Sequence, residues 1–197
     1  MNFTQLYQKA LSWISNIEGL APLALRIYLA PVLMQAGYNK FAHFSDTVAW
    51  FGNADWGLGL PAPALLATLA VTTELVGSAL LLIGLATRIV AIPMMFTMLV
   101  AAVTVHWDNG WLAIADPGSW LANDQVIASM DKLARAKEIL QDNGNYDWLT
   151  SSGNFVVLNN GIEFAVTYFL MLFALLFMGG GKYTSIDYFI AKRNGIA

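Results

Sequence analysis

Long apolar blocks separated by shorter polar segments dominate the chain. Four of these blocks are close in length to the roughly 20 residues that a helix needs to cross the hydrocarbon core of a bilayer. They cover residues 20–41, 62–85, 89–107 and 162–178, and only Ala86-Thr87-Arg88 separates the middle pair after Leu85. The middle pair is therefore expected to form a tight antiparallel hairpin. The pattern predicts an all-α fold, a four-helix transmembrane bundle that makes one membrane domain of residues 1–197.

A more polar segment, residues 108–161, separates the third apolar block from the fourth. Within it, residues 119–143 place Val126, Met130, Leu133 and Leu140 on one helical face with charges opposite, and Gly144 supplies a stop signal. The segment is predicted to be an outer insertion that contains an amphipathic helix.

Composition supports a membrane protein and excludes several other classes. Apolar residues make up 57% of the chain and charged residues 12%, with a net charge of −3, whereas soluble domains carry about 25% charged residues. The basic residues are scattered, which argues against a nucleic-acid partner. The chain has no cysteine, so it can form no disulfide and no thiolate metal site, and redox chemistry would need a bound cofactor or metal.

The positions of the basic residues predict the orientation in the membrane. Five of those near the ends of the apolar blocks fall on one side, and only Lys40 falls on the other; the five are Lys9, Arg88, Lys182, Lys192 and Arg193. By the positive-inside rule both termini should be cytoplasmic. Six of the seven tryptophans then lie on the outer side, which indicates an interfacial belt or a packed aromatic cap.

Two ionisable residues lie inside the apolar blocks. Glu74 is near the midpoint of the second block, and Arg26 lies nearly two turns inside the first. A charge at such a depth costs at least about 2.5 kcal/mol, so it is either paired or functional. We expect an Arg26–Glu74 pair that either fixes the helix register or takes part in ligand or proton handling.

Other polar residues gather near the predicted outer ends of the helices. Facing helices of a four-helix bundle often build ligand sites from such residues, here Gln35, Asn39, Lys40, His106, Asp108, Asn109 and Glu163. His106, with His43 as a second imidazole, is a weak metal-ligand candidate, a quinone hydrogen-bond partner, a proton relay or simply an interfacial polar residue. No haem, di-iron or nucleophile motif is present, so the sequence assigns no catalytic residue.

The chain resembles the DoxX-like family of small bacterial four-helix membrane proteins. The resemblance rests on Arg26, Gly37-Tyr38-Asn39-Lys40-Phe41, Gly59-Leu60-Pro61, the run ELVGSALLLIGLATR from Glu74 to Arg88, and His106. The segments WFGNADWGLGLPAPAL, HWDNGWLAIADPGSW and VLNNGIEFAVTYFLMLFALLFMGGGK extend it toward the HvfX subgroup, which is associated with the maturation of copper-binding modified peptides. Ser78 departs from the family pattern, where a glycine is common.

The resemblance implies a location in the bacterial inner membrane and a role in redox, stress-defence or copper-peptide systems. The leading interpretation is a non-catalytic accessory component with a membrane or periplasmic protein partner. A quinone-linked oxidoreductase subunit and a small transporter acting as a homo-oligomer are the alternatives. Quinone and copper both stay open as cofactors.

Overall fold

A computed structural model describes residues 2–196 and, in that range, consists of helices joined by turns. The helices are α1 Phe3–Asn16, α2 Leu20–Ala42, α3 Phe44–Gly52, α4 Pro63–Ile83, α5 Thr87–Ala101, α6 Asp124–Asn143, α7 Tyr146–Leu149, α8 Glu163–Met178 and α9 Ile186–Arg193. A π-helical turn, Ala102–His106, and a 3-10 turn, Trp107–Asn109, continue directly from α5. The all-helical prediction is confirmed for the described residues.

Within residues 2–196, three helical segments are long and apolar enough to cross a membrane: Leu20–Ala42, Pro63–Ile83 and Thr87–Asn109. They match the first three predicted spans to within a few residues. The fourth predicted span corresponds to α8, which is apolar but has only 16 residues. At 1.5 Å per residue α8 is about 24 Å long, shorter than a hydrocarbon core of about 30 Å. A fourth span therefore stays a prediction.

The first of two compact units consists of residues up to Met98 together with Tyr168 onward. Its core contains aliphatic and thioether side chains from α2, α4, α5 and α8: Leu29, Leu33, Leu81, Val90, Met94, Met98, Leu172 and Leu175. The packing of α2 against α4 is the most extensive between helices, and α3 also packs on α4. A Cβ on Gly37 of α2 would lie 2.8 Å from the Cβ of Glu74. The absence of a side chain at Gly37 lets the two backbones approach closely there.

The second unit covers residues 99–167. An isolated antiparallel bridge pairs Ile114 with Leu158, and Ala115 N–H donates to the Val157 carbonyl at 3.0 Å. The amphipathic helix is present as α6, which begins at Asp124 rather than at residue 119. The Asn123 side chain accepts the Val126 N–H at 3.0 Å and caps the helix there. Gly144 follows its last residue, as predicted.

Candidate functional site

An ion pair joins α2 to the middle of α4. Lys40, in the last turn of α2, donates from Nζ to Glu74 Oε1 at 2.9 Å and to Glu74 Oε2 at 2.7 Å. Glu74 is only 4% exposed, whereas 28% of the Lys40 side chain is exposed. The carboxylate is thus held in an apolar helix by a cation that reaches it from the rim of the unit.

The predicted Arg26–Glu74 pair is wrong. Arg26 is fully buried, and its Nη1 donates to the carbonyls of Leu81 at 3.3 Å and Leu82 at 3.1 Å. Its Nη2 donates to the Thr184 carbonyl at 2.8 Å. Because α2 and α4 run antiparallel, Arg26 is level with the end of α4, while Glu74 is level with Gly37. The cation therefore meets helix-terminal carbonyls, which attract positive charge.

The turn between α4 and α5 is closed by the C-terminal segment. Asp187, in the first turn of α9, accepts the Ala86 N–H at 2.6 Å and the Thr87 N–H at 2.9 Å with its two carboxylate oxygens. Its own N–H donates to the Gly84 carbonyl at 3.0 Å. Asp187 thus provides the first turn of α5 with a cap from another part of the chain. Sequence reasoning missed Asp187 and Thr184, which lie in no motif and in none of the apolar blocks.

Asparagine side chains hold the second unit together. The Asn159 amide donates to the carbonyls of Asn109 and Leu112, each at 2.7 Å. The Asn109 amide donates to the Asn160 carbonyl at 3.2 Å, which also accepts from His106 Nδ1 at 2.8 Å. Because a carbonyl only accepts, Nδ1 is the donor in this contact. Asn159 and Asn160 are not among the predicted site residues.

The remaining members of the predicted outer cluster make local contacts. Gln35 donates to Asn39 at 2.9 Å within α2, and Glu163 accepts the Ala113 N–H at 2.9 Å in the second unit. Asp108 is exposed, and His43 lies at the junction of α2 and α3. The prediction that all seven residues form one ligand site stays a prediction.

Metal-binding residues do not converge in the described part of the chain. Residues 2–196 contain no group of three or more His, Cys, Asp or Glu side chains placed to hold a metal ion. His106 and His43 therefore have no ready-made set of further protein ligands there. Copper or quinone binding is left to experiment.

Apolar helices of membrane-spanning length that carry buried charges define a membrane-embedded helical protein. Comparison with known proteins gives its family: the DoxX family profile matches residues 21–107. The chain is 33% identical over 97 residues to the protein named "Putative oxidoreductase CatD" from Bacillus subtilis (strain 168), a match that covers 49% of this chain and 68% of the relative. The chain belongs to the DoxX family. No solved structure matches it.

Proposed function

We propose that the chain is an accessory component of a membrane redox system, with α8 as a fourth span and residues 108–161 as an outer insertion that docks a protein partner. Both termini face the cytoplasm, and the membrane is the bacterial inner membrane. Support for a redox context comes from the name of the Bacillus subtilis relative. The resemblance to the HvfX subgroup adds copper-binding modified peptides as an alternative partner.

The observation that carries this proposal is that the second unit, which is held together by hydrogen bonds, exposes tryptophan side chains. Trp120 is 91% exposed and Trp148 is 71% exposed, although the second unit around them is held by bridge and asparagine contacts. Tryptophan is enriched at the energetic centres of protein interfaces, where a fixed scaffold lowers the entropic cost of binding. The exposed indoles of Trp120 and Trp148 on this hydrogen-bonded unit are therefore suited to binding a protein partner.

The test compares two tryptophans of equal exposure. Trp148 in the second unit and Trp13 in α1 are both 71% exposed, so Trp148→Ser and Trp13→Ser change the exposed surface alike. Each variant is purified from host membranes in mild detergent and examined by native mass spectrometry and visible absorption. We expect a stoichiometric partner with a redox cofactor that is lost with Trp148→Ser and kept with Trp13→Ser. Equal retention in both variants, or a chain that carries no such partner, contradicts the proposal.

The Lys40–Glu74 pair favours a second candidate, a quinone-linked redox subunit. The buried Glu74 carboxylate, beside an ammonium group, is suited to exchange a proton with a quinone inside the membrane. The test measures quinone reduction in host membranes with Glu74→Gln, and uses Glu138→Gln as the control because Glu138 belongs to an exposed ion pair with Arg135. A selective loss with Glu74→Gln supports this candidate, and equal rates in both variants contradict it.

A further inference from the structure

A cavity of about 560 Å³ opens beside the start of α5 and the end of α8, within the first unit. Its apolar lining includes Ile89 and Met178, which are 72% and 44% exposed. Both residues belong to apolar helices that continue away from this end. An apolar chain lying along these two residues would therefore follow the helices into the membrane.

The same cavity is lined by two cations. Arg88 is exposed, and its guanidinium lies beside Gly179 without a hydrogen bond or ion pair to any other side chain or backbone group of residues 2–196. Lys182 makes two exposed contacts, an ion pair with Glu18 at 3.4 Å and a cation–π contact in which its Nζ lies 5.4 Å from the centre of the Tyr183 ring. The Tyr183 phenol and then the Glu18 carboxylate raise the pKa of Lys182, so its ammonium group remains charged. The two cations are available to an anion.

The carboxylate in the lining does not cancel this charge. Asp187 lines the cavity, but its two oxygens accept the N–H groups of Ala86 and Thr87, and its charge is offset by the buried guanidinium of Arg26. Glycines 179–181 form the wall between the cations and add no side chain to fill the space. The cavity thus combines an uncovered apolar path, two cations and room for a headgroup.

We infer that this cavity binds the phosphate headgroup of an anionic phospholipid, with Arg88 and Lys182 on the phosphate and an acyl chain along Ile89 and Met178. Basic pockets between membrane helices favour such lipids, since the phosphate satisfies the cations while the acyl chain remains in the hydrocarbon. A zwitterionic lipid presents its own ammonium group and is bound more weakly. The site is separate from the Lys40–Glu74 pair and from the insertion.

The test is lipid binding to the purified chain in neutral detergent, measured by native mass spectrometry with phosphatidylglycerol, phosphatidylcholine or inorganic phosphate. We expect phosphatidylglycerol to bind roughly tenfold tighter than phosphatidylcholine, and each cation removed to weaken it about fivefold. The double variant Arg88→Gln, Lys182→Gln is matched by Lys192→Gln, Arg193→Gln, which removes two exposed cations of α9 that do not line the cavity.

Equal binding of the two lipids, or equal loss in the two double variants, contradicts the inference. Inorganic phosphate that binds as tightly as phosphatidylglycerol would assign the site to a free phosphate and overturn the lipid. Glu18→Gln gives an independent test that leaves both cations in place. Removing this competing carboxylate should tighten phosphatidylglycerol binding about two- to fivefold, whereas unchanged or weaker binding contradicts the role of Lys182.

Discussion

Lys40 donates to both carboxylate oxygens of Glu74, at 2.9 and 2.7 Å, and so neutralises a buried acid in the middle of α4. The contact joins the last turn of one apolar helix to the centre of its neighbour. Removal of either partner leaves the other charge in an apolar environment, whereas removal of both does not.

This asymmetry predicts strong coupling between the two residues. Lys40→Met should lower the free energy of unfolding by about 3 kcal/mol because Glu74 loses its counterion, and the double variant Lys40→Met, Glu74→Met should recover much of that loss. A double-mutant cycle measured by unfolding in detergent gives the coupling energy. Additive effects of the two substitutions would show that the pair contributes nothing beyond its separate residues.

Gly84 has no room for a side chain beside Arg26. Its φ is +69°, and a Cβ added there would overlap Arg26 Nη1. Gly195 has the same φ of +69° but nothing within 4 Å of an added Cβ. Both alanine variants lose about 1 kcal/mol to the left-handed backbone. Gly84→Ala should lose roughly 2 kcal/mol more because a buried guanidinium is displaced from its carbonyls. Thermal unfolding of the two variants isolates this difference, and equal melting temperatures would contradict it.

Substitution of Asp187 should weaken the start of α5 in a graded way. Asp187→Asn keeps one oxygen acceptor and Asp187→Ala keeps none, so the loss of stability should rise from asparagine to alanine, reaching about 1 to 2 kcal/mol for alanine. Hydrogen exchange at the Ala86 and Thr87 amides should accelerate in the same order. Unaltered exchange in Asp187→Ala would mean that these amides do not depend on the carboxylate.

Asn159→Ala should loosen the second unit locally. It removes the two hydrogen bonds that the amide donates to Asn109 and Leu112, which together contribute about 2 kcal/mol. It also removes the longer bond, 3.4 Å, that Asn159 Oδ1 accepts from Gln125. Exchange of the Gly161 N–H, which donates to the Leu112 carbonyl at 2.9 Å, should become more than tenfold faster. Asn143→Ala is the control because it removes a single exposed bond to the Ile139 carbonyl. Equal acceleration in both variants would contradict the bracing role of Asn159.

The hydrophobic pattern was enough to locate the three membrane-length helices, α8 and α6, but not the shorter helices α1, α3, α7 and α9. The apolar blocks gave the first three membrane-length segments, the short Ala86-Thr87-Arg88 link gave the turn before α5, and the polar periodicity gave α6. The start of α6 was placed too early because the side chain of Asn123, rather than the apolar pattern, sets that boundary.

The partners of the buried charged residues could not be predicted from the sequence. Hydropathy gives the depth of Arg26 and Glu74 in their helices but not which residue each one faces, and Lys40 was placed at the outer rim with the headgroup-level residues. The partners of Arg26 are backbone carbonyls, which every residue carries and which no pattern marks. The contact between Arg26 and the Thr184 carbonyl was missed for the same reason, because no pattern links a backbone carbonyl to a side chain 158 positions away.

The hydrogen bond between Arg26 and the Thr184 carbonyl has a consequence for biosynthesis. The two residues are 158 positions apart, a length of chain that a ribosome needs roughly 8 to 30 s to make at about 5 to 20 residues per second. Until Leu81 and Leu82 are made, the guanidinium in α2 has none of its three carbonyl acceptors, and until Thr184 is made its Nη2 has none. We expect chains truncated before Thr184 to keep this unpaired donor and to be degraded faster than finished molecules.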